Sequence, residues 1–209
     1  MGELHVLNHP LIEHKLTIMR DERTTSQSFR LLLKEISLLM GYEVTRDFET
    51  APIRVKTPIC EGEFPTLKKD LVTIVPILRA GLGMVEGLQE LLPFSHVGHL
   101  GMYRDEETRQ PIDYYCKMPP DVAESVVIIV DPMLATGGSA VDAIGKMKSL
   151  GCTDIRIMNL VAAPQGIEAV QQAHPDIDIY VAAVDETLDE RAYIVPGLGD
   201  AGDRIFGTL

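Results

Sequence analysis

The feature that most constrains this chain is an unbroken apolar run, residues 126–130, that ends in Asp131 and then in a small-residue turn, Thr136-Gly137-Gly138-Ser139. Five β-branched residues without polar alternation predict a strand covered on both faces, as in a parallel sheet under helices. Beyond the turn Val141, Ile144, Met147 and Leu150 repeat at helical spacing, which puts the turn at a helix N-terminus. Unpaired backbone N–H groups and the helix dipole favour an anion there, and two glycines let a phosphate approach the backbone closely. Thr136 and Ser139 bring hydroxyl donors. The same four residues also suit a plain capped turn. Asp131 adds weight to the first reading: an acid at a strand's carboxyl end sits where α/β sheets bind ligands, and it can accept hydrogen bonds from sugar hydroxyls.

The same strand, loop and helix plan recurs. Strands are predicted at residues 71–78, 97–103, 155–163 and 177–184, with helices at 84–92, 140–150 and 165–173. That alternation predicts an α/β fold, a doubly wound and mostly parallel sheet in a single domain over residues 1–209. Two helices precede it. The first follows Pro10 with a stripe of Leu11, Ile12, Leu16 and Met19. The second opens with a capping box at residues 24–27, buries Phe29, Leu32, Leu33, Ile36, Leu39 and Met40, and is expected to stop at Gly41. Both read as a structural flank. Residues 43–57, broken by Pro52, suit extended edge segments. Residues 104–117 are charged and read as a protruding arm. Residues 193–207 are rich in glycine, contain no helix-length run, and are expected to be held to the core by Ile194, Val195, Ile205 and Phe206.

Composition narrows the function. Lys and Arg number 19 against 31 Asp and Glu, a net charge of −12, which disfavours nucleic acid as a main partner. No apolar run approaches the ~20 residues of a membrane span, and no signal-like segment opens the chain, so a cytoplasmic location is expected. Cys60, Cys116 and Cys152 lack the spacing of a disulfide framework or zinc ribbon, and His96 and His99 face opposite sides of a strand, so no protein metal site is expected. No lysine follows Gly137 or Gly138, which removes a Walker loop. Gly81, Gly83 and Gly87 approximate a dinucleotide fingerprint, but the third glycine comes one residue late and Arg79 precedes the set; an oxidoreductase is the weaker alternative, and close helix packing explains the glycines equally well. What remains is an anion cradle, two strand-end arginines (Arg79 and Arg104) able to hold a second oxyanion, and an acid-bearing glycine loop at residues 197–203.

Residues 130–139, Val-Asp-Pro-Met-Leu-Ala-Thr-Gly-Gly-Ser, resemble the phosphoribosyl pyrophosphate loop of type I phosphoribosyltransferases. Residues 76–81, 102–104 and 194–201 extend the resemblance over most of the chain from about residue 70. The family's loop usually carries two adjacent acids. Pro132 stands in the second place here, the form of the uracil branch, which leaves Asp131 alone for the ribose hydroxyls. The resemblance implies conversion of uracil and 5-phospho-α-D-ribose 1-diphosphate (PRPP) to UMP and diphosphate in pyrimidine salvage, with Mg²⁺ carried in by PRPP.

By the same resemblance, PRPP is bound by Arg79, Arg104, Asp131, Pro132, Met133, Leu134, Ala135, Thr136, Gly137, Gly138, Ser139 and Asp200. Uracil is held by Ile194, Gly199, Asp200 and Ala201, chiefly through a C=O that accepts from N3–H and an N–H that donates to O4; cytosine presents the reverse pattern. Asp200 and Arg104 are the residues implied in the chemistry, Asp200 as the group near the uracil N1 proton. A homodimer or homotetramer and a GTP effector are also implied, and the 104–117 arm is expected to close over substrate or reach a partner subunit. A regulator on the same fold that binds pyrimidine-operon RNA is the alternative, opposed by the charge of −12 and the lack of a Lys/Arg cluster.

Overall fold

The computed structural model describes residues 2–104 and 111–208, with side chains described outside residues 103–113. In chain order the elements are β1 (Leu4–Val6), α1 (Pro10–Arg20), α2 (Ser26–Val44), β2 (Thr50–Lys56), β3 (Glu61–Leu67), β4 (Val72–Leu78), α3 (Leu82–Leu91), β5 (His96–Val97), β6 (His99–Arg104) and β7 (Pro111–Lys117). They continue with β8 (Val126–Val130), β9 (Met133–Leu134), α4 (Gly138–Ser149), β10 (Asp154–Ala162), α5 (Pro164–Ala173), β11 (Asp178–Val184), β12 (Thr187–Leu188), β13 (Ile194–Val195) and α6 (Ala201–Phe206).

The main sheet runs β1-β11-β10-β8-β4-β6-β7, parallel throughout except for the antiparallel pair β6 and β7. Strand β8 lies at its centre because all five of its residues are apolar. Ile128 and Val130 face a core built with α1, α2 and α3, while Val127 and Ile129 face a second core built with α4 and α5. Burying each such side chain contributes roughly 1.5–3 kcal/mol, so the strand belongs where both faces are covered. From β4 the chain crosses through α3 to β6 on one side; from β8 it crosses through α4 to β10 on the other. The crevice between the carboxyl ends of β4 and β8 is therefore the topological switch point, where doubly wound sheets take their ligands.

Several expectations change. Helix α2 does not stop at Gly41 but runs on to Val44. A Cβ at Gly41 would lie 2.6 Å from Leu88 Cδ2, so this glycine is there to let α2 and α3 approach. Gly87 does the same from the other helix, 2.2 Å from Lys34 O, which accounts for the late glycine of the dinucleotide-like pattern. The strand predicted at 97–103 is two strands broken at Gly98, and β1 adds an edge strand that carried no periodicity. Residues 43–57 are not all extended: the first two end α2, and Thr50–Lys56 pairs with Glu61–Leu67 as an antiparallel hairpin apart from the main sheet. Of the 104–117 arm, residues 111–117 form edge strand β7; residues 105–110 lie outside the described residues. The glycine-rich C-terminus does contain a helix, α6, and it is anchored by Ile194, Leu198, Ala201 and Ile205, whereas Val195 and Phe206 are exposed. Among the described residues no helix is long and apolar enough to cross a membrane.

Candidate active site

Three loops meet at the switch point. The first leaves β8 at Asp131. Its carbonyl accepts from Asn159 Nδ2 at 2.6 Å, and Pro132 O accepts from Leu160 N at 3.0 Å, so the chain turns at once into β9 and pairs with β10 again. The loop then reaches α4 through Gly137, the N-cap, whose φ is +83°. A Cβ on Gly137 would be strained at that angle and would also lie 2.8 Å from Ala169 Cβ. With no side chain at the N-cap, the plain-cap reading loses its usual side-chain acceptor, and the first-turn N–H groups face a cradle of ≈ 80 Å³ lined by Asp131 and residues 133–140.

Asp131 is half-buried at the rim of this cradle. Burial pushes its carboxyl up to about 7; the Met133 N–H works the other way, and the nearby Asp200 carboxylate raises it further. Asp131 is thus an acid held close to neutrality, ready to gain from any ligand that donates hydrogen bonds to it.

The second loop follows β4. A Cβ at Gly81 would lie 2.4 Å from Val130 O, so the two loops touch directly. Arg79 is well exposed, 3.7 Å from Asp203 Oδ1 and stacked over Phe206, with its guanidinium turned toward α6. Arg104 ends β6 two strands from β8; its side chain lies outside the described residues.

The third loop spans residues 194–201. Asp200 caps α6, its Oδ1 accepting from Asp203 N at 2.9 Å. Ile194 and Ala201 have buried side chains, so what they can offer a ligand is peptide N–H and C=O. Asp131 and residues 133–139 thus line one cradle, Asp200 lies close enough for its charge to act on Asp131, and Arg79 lies beside Asp203 of α6.

The sequence reading missed Arg20, Asp185 and Asn159. Arg20 Nη1 and Nη2 donate to Asp185 Oδ2 and Oδ1 at 2.7 and 2.6 Å, and Nη1 also donates to Gly197 O. The helix treated as a flank therefore reaches the third loop. Asp185 follows β11 as Asp131 follows β8, a parallel that the sequence did contain; Arg20 and Asn159 carry no local signal. Among the described residues no group of three or more His, Cys, Asp or Glu could hold a metal ion.

A family model described as uracil phosphoribosyltransferase matches residues 6–208. A uracil phosphoribosyltransferase of Alkaliphilus oremlandii is 60% identical over 208 residues, with 100% of each chain covered. The solved structure of a protein from Aquifex aeolicus superposes with a TM-score of 0.92 at 36% identity over 99% of both chains. A hypoxanthine-guanine phosphoribosyltransferase from Bacillus anthracis, 11% identical with a TM-score of 0.54 over 77% of this chain and 80% of its own, shares the fold.

Proposed function

The chain belongs to the uracil phosphoribosyltransferase family, and we propose that its switch-point site moves the phosphoribosyl group of PRPP onto uracil, giving UMP and diphosphate. The observation that carries this reading is the placement of an anion cradle, an uncompensated acid and a peptide-lined loop at one crevice between β4 and β8.

The 5′-phosphate takes the open N–H groups at the start of α4, together with the Thr136 and Ser139 hydroxyls. Ionised Asp131 accepts from the ribose hydroxyls. Arg79 and Arg104 hold the diphosphate, and Mg²⁺ entering with that substrate would neutralise part of its charge. As the bond from C1′ to the diphosphate oxygen breaks, its electron pair leaves toward fixed guanidinium groups, and positive charge grows on the ribose beside Asp131. N1 of uracil then bonds to C1′. Asp200 takes the N1 proton: its Oδ1 is committed to the cap of α6, which leaves Oδ2 for this role.

Uracil is selected by the peptide groups of Ile194 and residues 199–201. A pyrimidine with the reversed pattern leaves buried donors and acceptors unpaired, which costs roughly 1–3 kcal/mol for each group. The proposal extends to a homodimer or homotetramer activated by GTP. Among the described residues the β2–β3 hairpin pairs with no other strand, and it exposes Ile53, Val55, Ile59 and Phe64, Ile59 at 91%. Light scattering with and without GTP tests this part.

The deciding experiment mixes the protein with Mg²⁺, PRPP and each pyrimidine base in turn. Uracil alone should yield its 5′-monophosphate; no product from uracil, or equal product from cytosine, overturns the assignment.

A further inference from the structure

A peptide discriminates between bases only if its plane is held. One end of the 194–201 loop is held by β12, where Leu188 faces Ile194 and Glu186 N donates to Val195 O at 3.0 Å. The other end is held by α6. Between them, residues 196–199 pair with no strand among the described residues, and partners reach them from the end of α1, from the end of β11 and from α6. Arg20, the last residue of α1, donates to Gly197 O and to both carboxylate oxygens of Asp185. Asp185 Oδ2 in turn accepts from Gly197 N at 2.8 Å. The peptides on both sides of Gly197 are thereby tied to one ion pair, whose side chains are 25% and 5% exposed. No other residue fits at 197: its φ is +62°, and a Cβ would lie 2.1 Å from Ile194 O. Arg204 adds a strut, Nη1 to Leu198 O at 2.8 Å and Nη2 to Asp21 O at 2.7 Å, so the loop hangs from the end of α1 twice.

We infer that the Arg20–Asp185 pair positions the base loop and thereby sets the affinity for uracil, a role that rests on reading residues 194–201 as the uracil site. Neither side chain lines the cradle at residues 131–140. Asp200, the loop residue assigned to PRPP, is held separately by the cap of α6, so loss of the pair falls mainly on the base. The arrangement suits a planar fork: lysine has its three donors on one nitrogen and cannot reproduce the parallel bonds that Nη1 and Nη2 make to the two carboxylate oxygens. At position 185, asparagine with its oxygen in the place of Oδ2 loses the bond from Arg20 Nη2, and with its NH₂ there loses the bonds from both Arg20 Nη1 and Gly197 N.

Arg20→Lys and Asp185→Asn test this in steady-state assays run below each variant's Tm, with Ala201→Val as a marker for the loop itself. Both clamp variants should raise KM for uracil on the order of tenfold and leave KM for PRPP within about twofold. A purely structural pair would lower Tm and the active fraction without dividing the two KM values. Unchanged KM for uracil, or an equal rise in both constants, overturns the inference. If Ala201→Val also leaves KM for uracil unchanged, the base-loop reading fails with it; if that variant raises KM while the clamp variants do not, only the clamp fails. Should Asp185→Asn not fold, Arg20→Lys decides, because its side chain is the more exposed of the pair.

Discussion

At the amino ends of β8 and β10, a buried charge is answered within the chain; at the carboxyl ends of the same strands it is not. Arg156, on β10, is buried with Nε on Asp154, Nη1 on Val44 O and Asp47, Nη2 on Asp47 at 3.0 Å, and its plane over Phe48. Burial alone would raise the Asp47 carboxyl, but the Arg156 guanidinium outweighs it and holds the group below the usual carboxylate range. Asp131, at the other end, is pushed up to about 7 by burial, and the like charge of Asp200 adds to the rise. Cavity size points the opposite way: ≈ 600 Å³ beside Arg156 against ≈ 80 Å³ at the cradle. An acid shifted by burial and by a like charge, not an open volume, marks where a substrate completes the structure.

The contrast breaks first at Asp131. Replacing it with asparagine removes the charge and one of the two acceptor oxygens offered to the ribose hydroxyls, charge-assisted bonds worth about 1.5–3 kcal/mol each, so kcat/KM for PRPP should fall roughly 10²- to 10³-fold. A fall smaller than about fivefold would take Asp131 out of the site.

Stability tests the same group without substrate. A carboxyl whose folded value is raised from 3.8 to about 7 binds its proton more tightly in the folded state. The stability it contributes is therefore complete below pH 3.8 and is lost as pH rises through 7, a loss on the order of 4 kcal/mol by linkage. Denaturant titrations from pH 4 to 8 should show this decline in the wild type and a flatter profile in Asp131→Asn. Identical profiles would mean that Asp131 titrates normally.

The smallest effect is expected at the opposite end. Arg156→Met keeps the buried stem but gives up the bonds to Val44 and Asp47, at a cost of about 2 kcal/mol and a Tm lower by about 4–8 °C. Both KM values should stay within about twofold, since the site is a strand length away. A changed KM for PRPP would show that the two ends are coupled.

Strands β4, β8, β10 and β11 were legible because burial on both faces favours apolar runs, unbroken in β8 and interrupted at Thr73 in β4 and at Arg156 and Asn159 in β10, and the candidate cradle stood out because it is contiguous: strand end, acid, glycines and helix start occupy fourteen residues, 126–139. The hydrophobic stripes of α1 and α2 were equally plain. Gly41 misled, because a glycine that stops a helix and one that lets two helices touch look alike without the partner. Helix α6 was missed because six residues are too few for a periodic signal, and its cap, Asp200, was read only for its chemistry. Arg20 and Asp185 stand 165 residues apart, so nothing local could pair them.

The most direct measurement is the rate of UMP formation from uracil and Mg²⁺-PRPP by the wild type, Asp131→Asn and Arg156→Met side by side. The wild type and Arg156→Met should form UMP at similar rates, with Asp131→Asn slower by roughly 10² or more; equal rates from all three, or a loss confined to Arg156→Met, would contradict a phosphoribosyl site at the carboxyl end of β8.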